Sequence, residues 1–141
     1  MSDATRPHHK IWPKRLPRDL VVPQTSLWFN LEVSAARFPD KPAYVFFGRA
    51  LSYAQLKAQA EALAGWLHVA GVRKGDRVAL YMQNCTQFIV AVYGILRADA
   101  VVVPVNPMNR ADEFSHYITV PQSKAVVCSA DRAGFVAAAN Q

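Results

Sequence analysis

Hydrophobic and polar positions change their period along this chain. From Val78 to Met82, and again from Val101 to Val105, the residues run apolar without alternation. That is the pattern of strands buried on both faces, which lose the in-and-out rhythm of a half-buried strand. Between them, residues 85–98 form an apolar segment too long for one strand and free of any internal turn signal, which predicts a helix in spite of its β-forming residues. Apolar positions all round suit a helix packed between a sheet and other helices. Gly94 in its interior costs roughly 1 kcal/mol against Ala and points to close packing there. Two buried strands joined by a helix-length crossover predict a parallel pair, since a tight hairpin cannot join parallel strands. The crossover is expected to be right-handed. Gly71 and Gly75 precede this βαβ unit, Asn106 and Pro107 end it, and every other segment has to cover or extend it.

The flanking pattern supplies those covers. Thr25 and Ser26 can cap a helix reaching to about Phe38, with Leu27, Leu31, Ser34 and Ala35 at helical spacing and Pro39 and Pro42 as its stop. Residues 43–47 read as a short strand that turns at Gly48 and Arg49 into Ala50 and Leu51. Ser52 and Gln55 have the spacing of a capping box, and Leu56, Ala60, Leu63 and Leu67 then form one helical stripe that closes at Gly71. Asn109 can cap a helix over 111–120, with Asp112 and Glu113 in its first turn suiting the positive end of the dipole. Residues 125–128 form a third apolar strand, and Asp131 starts a last helix through Phe135, Val136 and Ala139. The expected fold is α/β: a β-hairpin, then αβαβαβα, giving an open parallel-containing sheet with helices on both faces.

Composition narrows the class. With 141 residues, 52% hydrophobic and 18% charged, the chain can bury a core and is not disordered. No apolar run reaches the ~20 residues of a membrane-spanning helix, and the N-terminus lacks the apolar core of a signal peptide. Two cysteines, Cys85 and Cys128, do not make a disulfide framework. The expectation is a cytoplasmic protein. Of the net charge of +6, half sits in residues 1–23, where Arg6, Lys10, Lys14, Arg15 and Arg18 oppose Asp3 and Asp19. Such an arm suits nucleic acid or acidic lipid. Against that, four prolines interrupt it and no nucleic-acid motif follows. The favoured reading is an extended, Pro-rich leader over 1–23 that lies along a domain spanning 24–141, with Trp12 and Leu20 as apolar anchors; no nucleic-acid partner is expected.

Candidate chemistry is sparse. In open α/β sheets ligands bind beyond the carboxyl ends of the strands, which selects Gln83–Asn84, Asn106 to Arg110, and Ser129. None of these forms a glycine-rich phosphate loop, and Gly71 and Gly75 precede a strand, where their task is turning the chain. Cys85 stands near a helix N-terminus, a setting that lowers a thiol pKa, yet a nucleophile also wants a base in reach. Nothing in the sequence brings His8, His9, His68 or His116 to it. His8 and His9 lack a spaced second pair of metal ligands, His68 ends a helix, and His116 lies within one. The carboxylates are too scattered for an acid/base pair. From residue chemistry alone the chain is a scaffold, with no catalytic residue and no metal ligand assigned.

A further set of residues, in register, resembles the start of an acyl-CoA synthetase of the adenylate-forming, AMP-binding superfamily. These are Phe38-Pro-Asp-Lys-Pro-Ala43; Leu51-Ser-Tyr-Ala-Gln-Leu56, similar to the family's LTYxEL; Gly71-Val-Arg-Lys-Gly-Asp-Arg-Val-Ala79; Asn84; and Leu96-Arg-Ala-Asp-Ala-Val-Val-Val-Pro-Val-Asn-Pro107, similar to LKAGAVVVPLNP. Trp12-Pro13 and Asn106-Pro107 bring it nearer to fatty-acid and aromatic-acid CoA ligases than to peptide-synthetase modules. One departure is Asp99, where the family has Gly; Asp tolerates unusual backbone angles, so local strain without loss of fold is expected.

The resemblance implies a ligase that uses ATP, Mg²⁺ and CoA to convert a carboxylic acid, foremost a medium- to long-chain fatty acid, through an acyl-adenylate. The family's Thr/Ser/Gly-rich phosphate loop, Tyr-Gly-x-Thr-Glu motif, ribose-binding Asp and C-terminal lysine have no counterpart in these 141 residues. The chain alone is therefore expected to be inactive, to bind none of these cofactors, and to self-associate through an unpaired sheet edge. Alternatives are a non-catalytic α/β binding or interaction domain, an aromatic-acid–CoA ligase segment, and an unrelated nucleotide-binding α/β domain.

Overall fold

The computed structural model describes residues 6–139. Asp3, counted above in the charge of the arm, lies outside them, as does the side chain of Ala139. The elements in chain order are α1 (Leu27–Arg37), β1 (Pro42–Phe46), β2 (Arg49–Ser52), α2 (Tyr53–Val69), β3 (Arg77–Tyr81), α3 (Thr86–Arg97), β4 (Val101–Val105), α4 (Ala111–Thr119), β5 (Ala125–Cys128) and α5 (Ala133–Ala139). The predicted βαβ unit is present: β3 pairs with β4 in parallel, Arg77 opposite Val101 and Tyr81 opposite Val105, and the 85–98 segment is helical as α3. β5 adds in parallel on the other side of β3, so the order is β4-β3-β5.

Both faces of that sheet are apolar, and each face has its own helices. Val78, Leu80 and Met82 pack with Leu67 of α2 and Ala91 and Ile95 of α3. Ala79 and Tyr81 point the other way and pack with Phe114 of α4 and with Phe135 and Val136 of α5. Successive strand residues serve opposite layers, which is why the run 78–82 shows no polar alternation. α1 and the β1–β2 hairpin form an outer layer, where Trp28, Leu31 and Leu51 meet Leu56 of α2 and Ile89, Val90 and Tyr93 of α3. Among the described residues no helix is long and apolar enough to cross a membrane.

Local chemistry explains the boundaries. The Ser26 hydroxyl accepts from Phe29 N at the start of α1. At α2 the capping box is complete: Ser52 Oγ accepts from Gln55 N at 3.2 Å and Gln55 Oε1 from Ser52 N at 3.0 Å. α2 ends in a Schellman motif, with Gly71 N donating to His68 O, Val72 N to Leu67 O, and Gly71 at φ +89°. α3 ends the same way: Asp99 N donates to Leu96 O, Ala100 N to Ile95 O, and Asp99 sits at φ +55°. The expected strain at Asp99 is thus real, and its cause is a left-handed cap held by a residue that carries a Cβ.

Five expectations are corrected. Phe47 is not in β1 but shares the hairpin tip with Gly48, both at positive φ, as a two-residue turn between twisted strands requires. Arg110, not Asn109, caps α4; its N–H donates to the Glu113 carboxylate at 3.0 Å. The last helix starts at Ala133 because a single 3₁₀ turn, Ala130–Arg132, carries Asp131. Leu20 anchors nothing: it is 94% exposed, whereas Trp12 is partly covered. Nor is the arm extended throughout, since Pro7–Lys10 form a 3₁₀ turn that buries His9.

Candidate functional site

Because β3, β4 and β5 run parallel and in register, Tyr81 lies beside Val105 and Cys128, and the segments following all three strands emerge at one sheet edge. The sequence-selected positions Gln83–Asn84, Asn106 to Arg110, and Ser129 are brought together there. At this edge the central side chain is Tyr81, which sequence reasoning passed over as one more apolar strand residue. Its ring is fully buried and stacks on Phe114 at 4.6 Å between centroids. Its hydroxyl donates a hydrogen bond to the Asn109 carbonyl. The Arg132 guanidinium lies 5.9 Å from the Tyr81 ring and 5.6 Å from Phe135, with Nε 3.2 Å from the Asp131 carboxylate. A phenol at the end of an otherwise aliphatic strand is the signal that marks it, since a buried hydroxyl needs a partner.

The Asn106 loop is held from within. Asn106 Oδ1 accepts from Met108 N at 3.0 Å and the Asn106 carbonyl from Asn109 N at 3.0 Å, an Asx turn. Asn109 Nδ2 is buried without a hydrogen-bond partner. Beside this loop a mainly apolar cavity of about 340 Å³ is lined by Ala111, Asp131, Gly134, Phe135 and Ala138. The Ser129 hydroxyl hydrogen-bonds to Asp131 and, with the Arg132 charge, holds that carboxyl below the usual range. Burial, and then the Asp131 charge, push the Cys128 thiol up, so Cys128 is a poor nucleophile.

The other candidates do not converge. Cys85 is the N-cap position of α3 and packs against the core, with no hydrogen bond from its thiol to a histidine. His68 lines a separate cavity of about 420 Å³ with Glu61, Arg97 and Asp99, at the opposite end of the sheet where β4 begins. His116 meets the Tyr117 ring edge-on, and His8 and His9 contact the Trp12 ring in the arm. Gly75 N donates to Asp99 O, and the Asp76 carboxylate accepts from Arg73 N at 2.8 Å, so the glycine-bearing turn before β3 joins two loops together.

The polar groups at this edge are engaged with one another, and none of them is assigned to ATP or Mg²⁺. Among the described residues no group of three His, Cys, Asp or Glu can hold a metal ion. Among the described residues no run of glycine amides follows the strand ends, and Asn106 Oδ1 and the Asn106 carbonyl accept within their own turn. The residues build and brace a sheet edge.

The model of the AMP-binding enzyme family matches residues 31–141, most of the chain. The chain belongs to that family. Over 116 residues this AMP-binding segment is 36% identical to the long-chain-fatty-acid–CoA ligase of Bacillus subtilis, covering 82% of this chain and 21% of that protein. It is 37% identical over 110 residues to the salicyl-AMP ligase / salicyl-S-ArCP synthetase of Mycobacterium tuberculosis, covering 74% of this chain and 20% of that one. Among solved structures, the inhibitor-bound N-terminal domain of FACL13 from Mycobacterium tuberculosis superposes with a TM-score of 0.76 at 34% identity, covering 82% of this chain and 29% of that one. The chain spans about a fifth of the length of the curated relatives it matches. The family is one of AMP-forming ligases, and this segment resembles the N-terminal adenylation region of an acyl-CoA ligase. Its family-like motifs now have positions in space: Leu51 to Leu56 is the hairpin exit and capping box, 71–79 is the Schellman turn into β3, and 96–107 is the second Schellman turn, β4 and the Asx turn.

Proposed function

We propose that the chain is the N-terminal segment of an ATP-dependent carboxylate–CoA ligase whose substrate is a medium- to long-chain fatty acid. In that reaction a carboxylate oxygen attacks the α-phosphorus of ATP, pyrophosphate leaves, and the CoA thiol then takes the acyl group from AMP. Bound Mg²⁺ supplies charge neutralisation on the phosphates. The role of these 141 residues is to brace: Tyr81, Asn109 and Arg132 tie together the ends of β3, β4 and the segment after β5. The phosphate loop and the catalytic lysine belong to the remainder of the ligase. The observation that carries this reading is the in-register similarity to the fatty-acid–CoA ligase across most of this chain. The similarity to the salicyl-AMP ligase keeps an aromatic-acid substrate as the second reading.

The test is a chimera in which this chain replaces the matching fifth of the Bacillus subtilis ligase. Its expected result is ATP- and CoA-dependent thioester formation with palmitate well above that with salicylate, while the 141-residue chain alone gives none. A folded chimera without adenylate formation, or the isolated chain making thioester by itself, would overturn the proposal. Turnover with salicylate alone would favour the second reading.

A further inference from the structure

The segment ahead of α1 is closed on itself and turns its aliphatic side chains outward. Arg6 pairs with the Asp19 carboxylate, so the two ends of the loop meet. Within it the Trp12 indole N–H donates to Pro17 O at 3.1 Å, and the Trp12 ring packs against His8 and His9. The aliphatic side chains of this segment do not anchor it. Ile11 is 87% exposed, and Leu20 and Val21 are above 90%, with Leu16 and Val22 also exposed. Interleaved with them, Lys10, Lys14 and Arg15 are exposed, while Asp19, the one acid among residues 6–22, is already paired.

We propose that this loop docks on an anionic lipid bilayer. Stable attachment of a peripheral segment takes two signals, inserted apolar surface and cationic attraction to acidic headgroups. Both occur here on one short arm, with Ile11 and Leu16 inside the Arg6–Asp19 closure and Leu20, Val21 and Val22 directly after it, and with Trp12 a half-covered indole of the kind that settles at headgroup level. Charge complementarity selects this occupant. A two-fold contact with a second copy would set Lys14 and Arg15 against their own symmetry mates. A nucleic acid would leave Leu20, Val21 and Val22 without a use, because its strands are held by cations and by stacking rings. The inference does not rest on the ligase reading.

The experiment is flotation of the full 141-residue chain with extruded vesicles, either phosphatidylcholine alone or phosphatidylcholine with an equal part of phosphatidylglycerol. Flotation is chosen because aggregate sinks and only vesicle-bound protein rises. The chain is expected to float with the anionic vesicles and not the neutral ones, and to detach as salt is raised. K14Q/R15Q should weaken partitioning roughly 30-fold, about fivefold per cation. L20S/V21S/V22S should weaken it at least about tenfold. All five positions lie outside the core, and circular dichroism confirms that each variant folds. Equal flotation with neutral vesicles, salt-insensitive binding, or either variant floating like the parent overturns the proposal. So does retention on heparin without flotation, which would select a polyanion. A dimer abolished by L20S/V21S/V22S, again without flotation, would select a second copy.

Discussion

A Cβ placed on Gly94 would lie 2.8 Å from Cδ2 of Leu63 and 3.0 Å from its Cβ and Cγ. α2 and α3 therefore approach at a point where only hydrogen fits. The residue that weakens α3 as an isolated helix is the one that lets it reach α2. Gly94→Ala gains about 1 kcal/mol of helix propensity and incurs about 1–3 kcal/mol of overpacking. We expect a net loss of about 1 kcal/mol in urea unfolding. Combining Gly94→Ala with Leu63→Ala should be clearly less damaging than the two losses added, because the clash is removed.

Asp99 holds the left-handed position of a Schellman motif whose counterpart at the end of α2 is Gly71. A left-handed residue with a Cβ costs roughly 1–2 kcal/mol, and Gly adds back up to about 1 kcal/mol of unfolded-state entropy. Asp99→Gly should therefore stabilise the chain by about 0.5–1 kcal/mol. Gly71→Ala should destabilise it by about 1 kcal/mol or more. Denaturation midpoints at unchanged slope measure both.

The Cys128 thiol, raised by burial and then by the Asp131 charge, makes stability depend on alkaline pH. Its folded pKa lies above its unfolded one, so its contribution is intact below the unfolded value. That contribution is lost as pH climbs from about 9 through the folded pKa. Cys128→Ala should flatten this decline. Thiol labelling of Cys128 should have its pH midpoint above the ordinary thiol range. Asp131→Asn should bring that midpoint down only in part, since burial is the larger cause.

Acid acts through a different pair. Asp19 is held low by its hydrogen bond and charge contact with Arg6, and Asp131 by Ser129. Both contribute above the ordinary carboxyl pKa and lose that contribution as pH falls through the depressed values. Both are exposed, so the global unfolding midpoint should move little. The expected sign is local: the protection of the Trp12 and Leu16 amides, relative to their intrinsic exchange rates, should fall below about pH 4 in the parent, and already at neutral pH in Asp19→Asn.

The two outer strands differ as sheet edges. β4 carries Pro104, which blunts an edge, whereas β5 reads Ala-Val-Val-Cys, with neither Pro nor charge. The chain on its own should associate with rising concentration in light scattering. Hydrogen exchange should show protection growing along 125–128 and not along 101–105. A monodisperse monomer at all concentrations would contradict this.

How much was readable in advance follows from the range of each interaction. The capping box at Ser52, the turn at Gly71 and the crossover helix are local or periodic, so residue order alone discloses them. The partner of Gly94 is not named by sequence, yet the need for one is. The exposure of Leu20 is not legible, because a Pro-rich segment has no period to say which way a side chain faces. Composition suggests Asn109 as a cap; in the fold its carbonyl answers Tyr81, a partner 28 positions away. The order β4-β3-β5 is equally silent in sequence, since continuous apolar runs carry no label for their neighbours.

β3 stands in the middle of the sheet although it is the first of the three strands in the chain, with β4 starting at Val101 and β5 at Ala125. On a ribosome the central strand thus emerges with both sides bare and waits while the residues of each flanking strand are made. During that interval α2 is already available to cover one face with Leu67, while the Tyr81 face stays open until Phe114 has been added. Vectorial synthesis should leave this Tyr81 face the longest exposed to chaperones.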